Sequence, residues 1–232
     1  MDTDTTRFAD AIVLAAGMSE RMAGPDKLMM EVAGVPLLAW TLRAVAAACT
    51  VARVIVVTRP DRIEALAQTS WIRSIGATLV VGGARRQDSV AAGVEAASSP
   101  VVLIHDGARP LVTPVLIDAV ARAALAHGAA VPIVAVPESM RRVEGGEIVG
   151  ILDRTGLFRS QTPHGAQRHV LMRAYEVQDP RGPDTFIDET TLVQAAGIRV
   201  ATVPGEAANL KVTLPGDETL AIALLEARAA PG

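Results

Sequence analysis

An apolar run, Ala11-Ile12-Val13-Leu14, opens directly into Ala15-Ala16-Gly17-Met18-Ser19-Glu20-Arg21-Met22, and Lys27 follows shortly after. Small side chains let backbone N–H groups approach an anion closely, and Arg21 and Lys27 add fixed positive charge. A buried strand delivering such a loop suits a nucleoside triphosphate, with Ala15, Ala16 and Gly17 offering backbone groups. An ordinary tight turn after a strand would need the same small residues. No Gly-Lys-Ser/Thr closes the loop, so it is not a Walker loop. The three spaced glycines of the dinucleotide fingerprint are missing too.

Two further segments carry chemistry. Gly82-Gly83-Ala84-Arg85-Arg86-Gln87-Asp88-Ser89 combines glycines, which allow close backbone approach, with a hydroxyl and two cations. At least one of Arg85 and Arg86 reads as a plain surface charge, and Ser89 is as consistent with an unliganded helix-face hydroxyl as with a binding role. His105-Asp106-Gly107-Ala108-Arg109-Pro110 places a carboxylate three residues before a cation. Read by itself, Asp106 suits an Asx turn that ends a strand. His105 reads as structural.

These segments need a frame that brings them together. Apolar runs at Ile12–Leu14, Val54–Val57, Leu79–Val81, Val101–Ile104 and Val131–Val136 alternate with helix-like stretches. The latter lie near Leu37–Ala48, Arg62–Gln68, Gln87–Ala97 and Pro114–His127. Thr113 suits the N-cap and Pro114 the first turn of the last of these, and Gly128 suits its end. The alternation predicts an α/β fold: a Rossmann-like, mostly parallel twisted sheet with helices on both faces. In such sheets ligands bind beyond the carboxyl ends of the strands. Ala15–Lys27, Gly82–Ser89 and His105–Pro110 all leave such ends.

The pattern changes at Pro137. Met140–Val143 and Ile148–Leu152 read as two short strands around the turn Glu144-Gly145-Gly146-Glu147. A two-stranded ribbon is marginal in water without a partner. Residues 137–161 therefore read as a β-arm that packs on another subunit, or as a hairpin lying on its own domain. Helix-like stretches follow near Arg168–Tyr175 and Asp188–Ala196, then a strand at Arg199–Val203 and a final helix from about Pro215 to Ala229. A single domain spanning 1–232 is expected.

Composition excludes several classes. The chain has 232 residues, half of them hydrophobic, with a formal net charge of −3. A non-specific nucleic-acid binder would be basic. The single cysteine, Cys49, allows no intrachain disulfide and disfavours a cysteine zinc site. Arg43 and Arg53 interrupt the longest apolar region, so no membrane span is expected. The acidic start Met1-Asp2-Thr3-Asp4 does not fit a signal peptide, which predicts a cytoplasmic protein.

The motifs occur in one order: Leu14-Ala15-Ala16-Gly17 with Arg21 and Lys27; Gly82 to Val90; His105 to Pro110; Asp153-Arg154; Gln161-Thr162-Pro163; Asp188-Glu189; Asn209-Leu210-Lys211-Val212-Thr213. This set resembles the 2-C-methyl-D-erythritol 4-phosphate cytidylyltransferases of the non-mevalonate isoprenoid pathway, over essentially the whole chain. The resemblance implies a homodimer with exchanged arms and a magnesium-dependent reaction. In it, the acceptor phosphate attacks the α-phosphorus of CTP and pyrophosphate leaves. It also implies roles. Arg21, Lys27, Arg154 and Lys211 match catalytic cations. Gly83 and Ser89 match positions near cytosine and ribose, and Asp106 matches a nucleotide and metal contact. Arg109, Ser139, Arg154, Thr162 and Asp188 match contacts to the acceptor. Ribitol-5-phosphate cytidylyltransferases share most of these motifs, so ribitol 5-phosphate or another sugar phosphate is an alternative acceptor. A nucleotide-binding regulator that has lost activity is an alternative of another class.

Overall fold

The computed structural model of the protein describes residues 7–17 and 26–229. Arg21 lies outside them.

Four parallel strands build one side of the main sheet: β1 (Ala9–Ala15), β4 (Val51–Thr58), β5 (Thr78–Val81) and β6 (Val101–Asp106), in the order β6-β1-β4-β5 with β5 at the edge. A minimal hairpin, β2 (Glu31–Val32) with β3 (Val35–Pro36), lies between the first two in the chain. Side chains alternate across each central strand. Ala11, Val13, Val54, Val56 and Leu103 join one core; Ile12, Ile55, Val57, Val102 and Ile104 join the other. Both faces are thus buried, which explains why these strands read as unbroken apolar runs.

Helix α1 (Leu37–Ala47) and helix α5 (Pro114–His127) cover the first face; α4 (Arg86–Ala96) covers the second. Between β4 and β5 lie two short helices, α2 (Ile63–Gln68) and α3 (Ser70–Ser74). At Gly93 of α4 an added Cβ would stand 2.4 Å from Ile12 Cγ2, so the helix rests directly on the sheet. Helix α5 ends as its sequence predicts. The Thr113 hydroxyl accepts from Leu116 N at 3.1 Å, and Gly128 terminates the helix at φ 92°.

The second half is less regular than the alternation predicts. Strand β7 (Ala129–Ala135) is followed by the arm, β8 (Met140–Glu144) and β9 (Glu147–Leu152). Glu144 faces Glu147 across a two-residue turn, with Gly145 at φ 58° and Gly146 at φ 87°, a conformation that favours glycine at both positions. Strands β10 (Phe158–Ser160) and β11 (His164–Gln167) then return antiparallel. β11 inserts between β6 and β7, which makes the sheet mixed. Helix α6 (Arg168–Val177) and helix α7 (Glu189–Ala195) pack on the second face. Strand β12 (Ala201–Pro204) runs parallel to β7, and helix α8 (Asp217–Ala229) closes the described chain. No described helix is long and apolar enough to cross a membrane.

The register decides where a ligand can sit. Leu14 lies level with Val57 and with Asp106, and Thr58 lies level with Val81. The loops after β1, β5 and β6 therefore leave the same edge of the sheet at the same height.

Candidate active site

A cavity of about 490 Å3 opens at that edge, lined by Ala16 and Gly17 after β1, Gly83 to Arg86 after β5, and Asp106 to Ala108 after β6. Lys27, Ser89 and Lys211 complete it. Ala15 itself is buried in the core below.

Local chemistry places each group. Lys27 begins a single 3₁₀ turn, Lys27–Met29. Asp26 caps this turn by accepting from Leu28 N at 3.2 Å, and its carboxylate also pairs with Arg62. Leu28 is buried, so the turn is anchored on one side and Lys27 is left at the cavity. At Gly107 a Cβ would stand 2.7 Å from Leu14 O, and its N–H donates to that carbonyl at 2.9 Å. Only glycine lets the loop after β6 press so closely on the end of β1. In the rim after β5, Gly83 N donates to Ser89 Oγ at 3.2 Å.

Asp106 is the electrostatic centre. Lys211 Nζ lies 3.0 Å from its Oδ2, Arg109 Nε 3.5 Å from the same oxygen, and Arg86 Nη2 3.7 Å from Oδ1. Burial opposes ionisation of this carboxyl, but Lys211, Arg86 and Arg109 outweigh it and hold Asp106 well below the usual carboxylate range. Arg86 pairs more closely with Glu189, at 2.6 Å, so Lys211 and Arg109 face Asp106 with positive charge to spare, which favours a polyanion.

A second layer fixes those cations. Arg86 donates to Glu189 Oε1 at 2.6 Å, and His164 Nδ1 donates to Glu189 Oε2 at 2.8 Å. Burial would raise the Glu189 carboxyl, but Arg86 and His164 bring it below its ordinary value. Arg109 Nη1 donates to Asn209 O at 2.8 Å, and Asn209 Nδ2 donates to Thr162 O at 2.9 Å. Val212 N donates to Ala108 O at 2.9 Å. These bonds hold Lys211 beside the loop after β6. Its segment, Asn209–Thr213, is irregular rather than strand-like.

Thr162 and His105 are buried behind Asp106. Asp106 N donates to Thr162 Oγ1 at 3.1 Å, so the hydroxyl hydrogen is free to point to His105 Nδ1, 2.9 Å away. Burial pushes His105 down to about 4, and it stays neutral near pH 7.

The structure thus gathers Ala16, Gly17, Lys27, Gly83, Ser89, Asp106 and Lys211 at one cavity. Arg109 and Thr162 stand behind Asp106 rather than in the lining. Asp188 caps α7 by accepting from Thr191 N at 2.9 Å. Ser139 and Arg154 lie on the exposed arm segment, where Arg154 bonds the carbonyls of Val136 and Pro137. The surface-charge expectation for one of Arg85 and Arg86 is corrected, because both are held in hydrogen-bonded networks. The Glu189–His164 pair and the Asn209–Gln161 contacts had no signal in residue spacing, because each joins distant segments.

The sequence model of one family, described as IspD: 2-C-methyl-D-erythritol 4-phosphate cytidylyltransferase, matches residues 9–227. A protein of that name from Cereibacter sphaeroides is 42% identical over 222 residues, covering 93% of this chain and 96% of the relative. The crystal structure of the enzyme so named from Thermus thermophilus superposes with a TM-score of 0.76 at 38% identity, over 93% of this chain and 98% of the other. That of 4-diphosphocytidyl-2C-methyl-D-erythritol synthase from Anaerococcus prevotii gives 0.79 at 25% identity, over 96% and 100%.

Proposed function

The chain belongs to the IspD family of 2-C-methyl-D-erythritol 4-phosphate cytidylyltransferases, and from that premise we propose that its cavity joins CTP to 2-C-methyl-D-erythritol 4-phosphate, releasing pyrophosphate. The observation that carries this reading is the convergence of Lys27, Arg86 and Lys211 on one cavity around the single carboxylate of Asp106.

The chemistry asks for little more. The attacking phosphate oxygen is already an anion, so no strong general base is needed, which agrees with a neutral, buried His105. Two anions must be brought together while charge grows on the departing bridge oxygen. Catalysis is then positioning plus preorganised positive charge. Lys27 and Arg21 hold the triphosphate from the first loop and Lys211 from the opposite side. The rim Gly83–Ser89 faces cytosine and ribose. Arg109, Thr162 and Asp188 stand on the acceptor side.

Magnesium fits this donor set. Among the described residues no cluster of three His, Cys, Asp or Glu could hold a metal without help. Asp106 offers one hard oxygen and a triphosphate offers others, the manner in which this ion binds while keeping several waters. When bound, it would offset repulsion between the phosphates.

The arm supports a homodimer. Ile148 is 66% and Ile151 75% exposed, and Val143 and Phe158 are exposed too. Such a ribbon gains little stability alone. A second copy would cover it and receive Ser139 and Arg154 near its acceptor site. The place of work is the cytoplasm, where CTP is at hand.

The test is pyrophosphate release with CTP, magnesium and each of two acceptors. Turnover with 2-C-methyl-D-erythritol 4-phosphate, at a higher kcat/KM than with ribitol 5-phosphate, is expected. No turnover with the first acceptor, or preference for the second, contradicts it.

A further inference from the structure

The loop Pro180–Phe186, between α6 and α7, is fastened to the first turn of α4 by two side chains that bond almost entirely to its backbone. Gln87 Nε2 donates to Pro180 O and to Asp184 O, both at 2.8 Å, and Gln87 Oε1 accepts from Phe186 N at 3.1 Å. All three hydrogen bonds of this buried amide go to one loop. Arg85 Nη1 donates to Gly182 O at 2.7 Å, and Nη2 to Pro180 O at 3.2 Å. The same guanidinium grips Asp88 at 2.6 and 3.1 Å, and Asp88 in turn accepts from Arg85 N at 3.0 Å. Arg85 thus belongs to the cavity rim by its backbone and to the distant loop by its side chain. The rim has little slack, since a Cβ on Gly83 would stand 2.3 Å from Asp88 Cβ.

Cytosine and uracil differ by exchanging donor and acceptor at two adjacent ring positions. A peptide unit carries C=O and N–H on opposite edges, so a rim that could turn over would suit either base. A rim held fast suits one. We propose that Gln87 and Arg85 are positioning residues for nucleobase selection: they brace the Gly83–Arg85 rim against the Pro180–Phe186 loop, so that its peptide groups present only the pattern cytosine matches. This rests on the proposed role of the Gly83–Ser89 rim as the base-facing wall.

The experiment measures kcat/KM for CTP and for UTP at saturating acceptor in the full-length protein, its Gln87→Met variant and its Arg85→Lys variant. Methionine keeps the volume of glutamine without its amide. Lysine keeps the charge, but one ammonium cannot replace a planar fork. Displacement by about 1 Å can change rates on the order of a hundredfold. The CTP-to-UTP ratio is expected to fall about tenfold or more in each variant through a relative gain for UTP. The acceptor KM is expected to stay at the parent value. A ratio equal to the parent's, with both nucleotides weakened alike, would overturn the proposal and leave a structural role. Should Gln87→Met fail to fold, Arg85→Lys decides, since that side chain is 35% exposed. If the parent protein does not prefer CTP, the base-facing assignment of the rim fails first, and the brace with it.

Discussion

Lys211 Nζ lies 3.0 Å from Asp106 Oδ2, although Asp106 ends a central strand and Lys211 sits in an irregular segment near the end of the chain. The pair links two distant parts of the sequence across the mouth of the cavity. Without ligand, the carboxylate offsets the lysine charge. A triphosphate competes for the same cation and offers more negative charge at similar range. The contact therefore keeps Lys211 preorganised without committing it.

From that arrangement, Lys211→Ala should lower kcat about a hundredfold, the scale on which one preorganised donor acts. Lys211 is about a third exposed, and Arg86 and Arg109 still face the buried Asp106 when the lysine is gone, so the melting temperature should stay near the parent's. Steady-state kinetics beside thermal melts check this. A large loss of stability with a modest loss of rate would mean that Lys211 is a structural residue.

Lys27→Ala should behave in the same way. The 3₁₀ turn is anchored by Leu28 and by the Asp26 cap. Activity should fall about a hundredfold with the fold retained, whereas Asp26→Ala should weaken both.

Asp106→Asn should cost more than it spares. Lys211 and Arg109 would then face a neutral amide in place of their carboxylate, while Arg86 keeps Glu189. Lower stability together with lower activity is expected in paired unfolding and rate measurements. Raising the salt concentration should recover part of the stability by screening.

Acid should destabilise the protein from near neutrality downward. His105 is held at about 4 in the folded protein against an ordinary value of 6.5. Between these values the unfolded chain takes up a proton that the folded chain refuses, so stability falls as pH drops through that window. Asp10, brought down to about 2, extends the loss below its ordinary 3.8. Denaturant midpoints at pH 7 and pH 4.5 should differ, and His105→Asn should shrink the difference.

The arm should govern assembly. Ile148→Asp with Ile151→Asp places charges on the two most exposed apolar side chains of the ribbon. Light scattering is expected to report a dimer for the parent protein and a monomer for this variant, with acceptor KM raised through loss of Arg154 from the second copy. An unchanged mass would contradict arm exchange.

Much of this is legible in the sequence. Burial of both faces of β1, β4 and β6 gives apolar runs that mark the strands, and Thr113, Pro114 and Gly128 mark both ends of α5 through local backbone chemistry. Lys27 and Asp106 stand out because small residues and charges follow strand ends, whereas Ser89 and Lys211 are marked only by the family resemblance of the motifs around them. β11 escapes notice because His164-Gly165-Ala166-Gln167 carries no apolar periodicity; it pairs because Gly165 lets α5 approach, with Val120 Cγ1 and Ala124 Cβ each 2.9 Å from where a Cβ would stand. Arg86, Glu189 and His164 escape for another reason. Their partnership depends on how α7 and β11 pack against α4, and spacing along the chain carries no record of that.

The proposed activity requires that the cations around Asp106 receive a triphosphate. A crystal structure of the protein with CTP and magnesium tests this directly. The Lys27 and Lys211 ammonium groups are expected at hydrogen-bonding distance, about 3 Å, from phosphate oxygens, with Lys211 drawn off Asp106. Nucleotide bound elsewhere, or both lysines still turned from the phosphates, would contradict it.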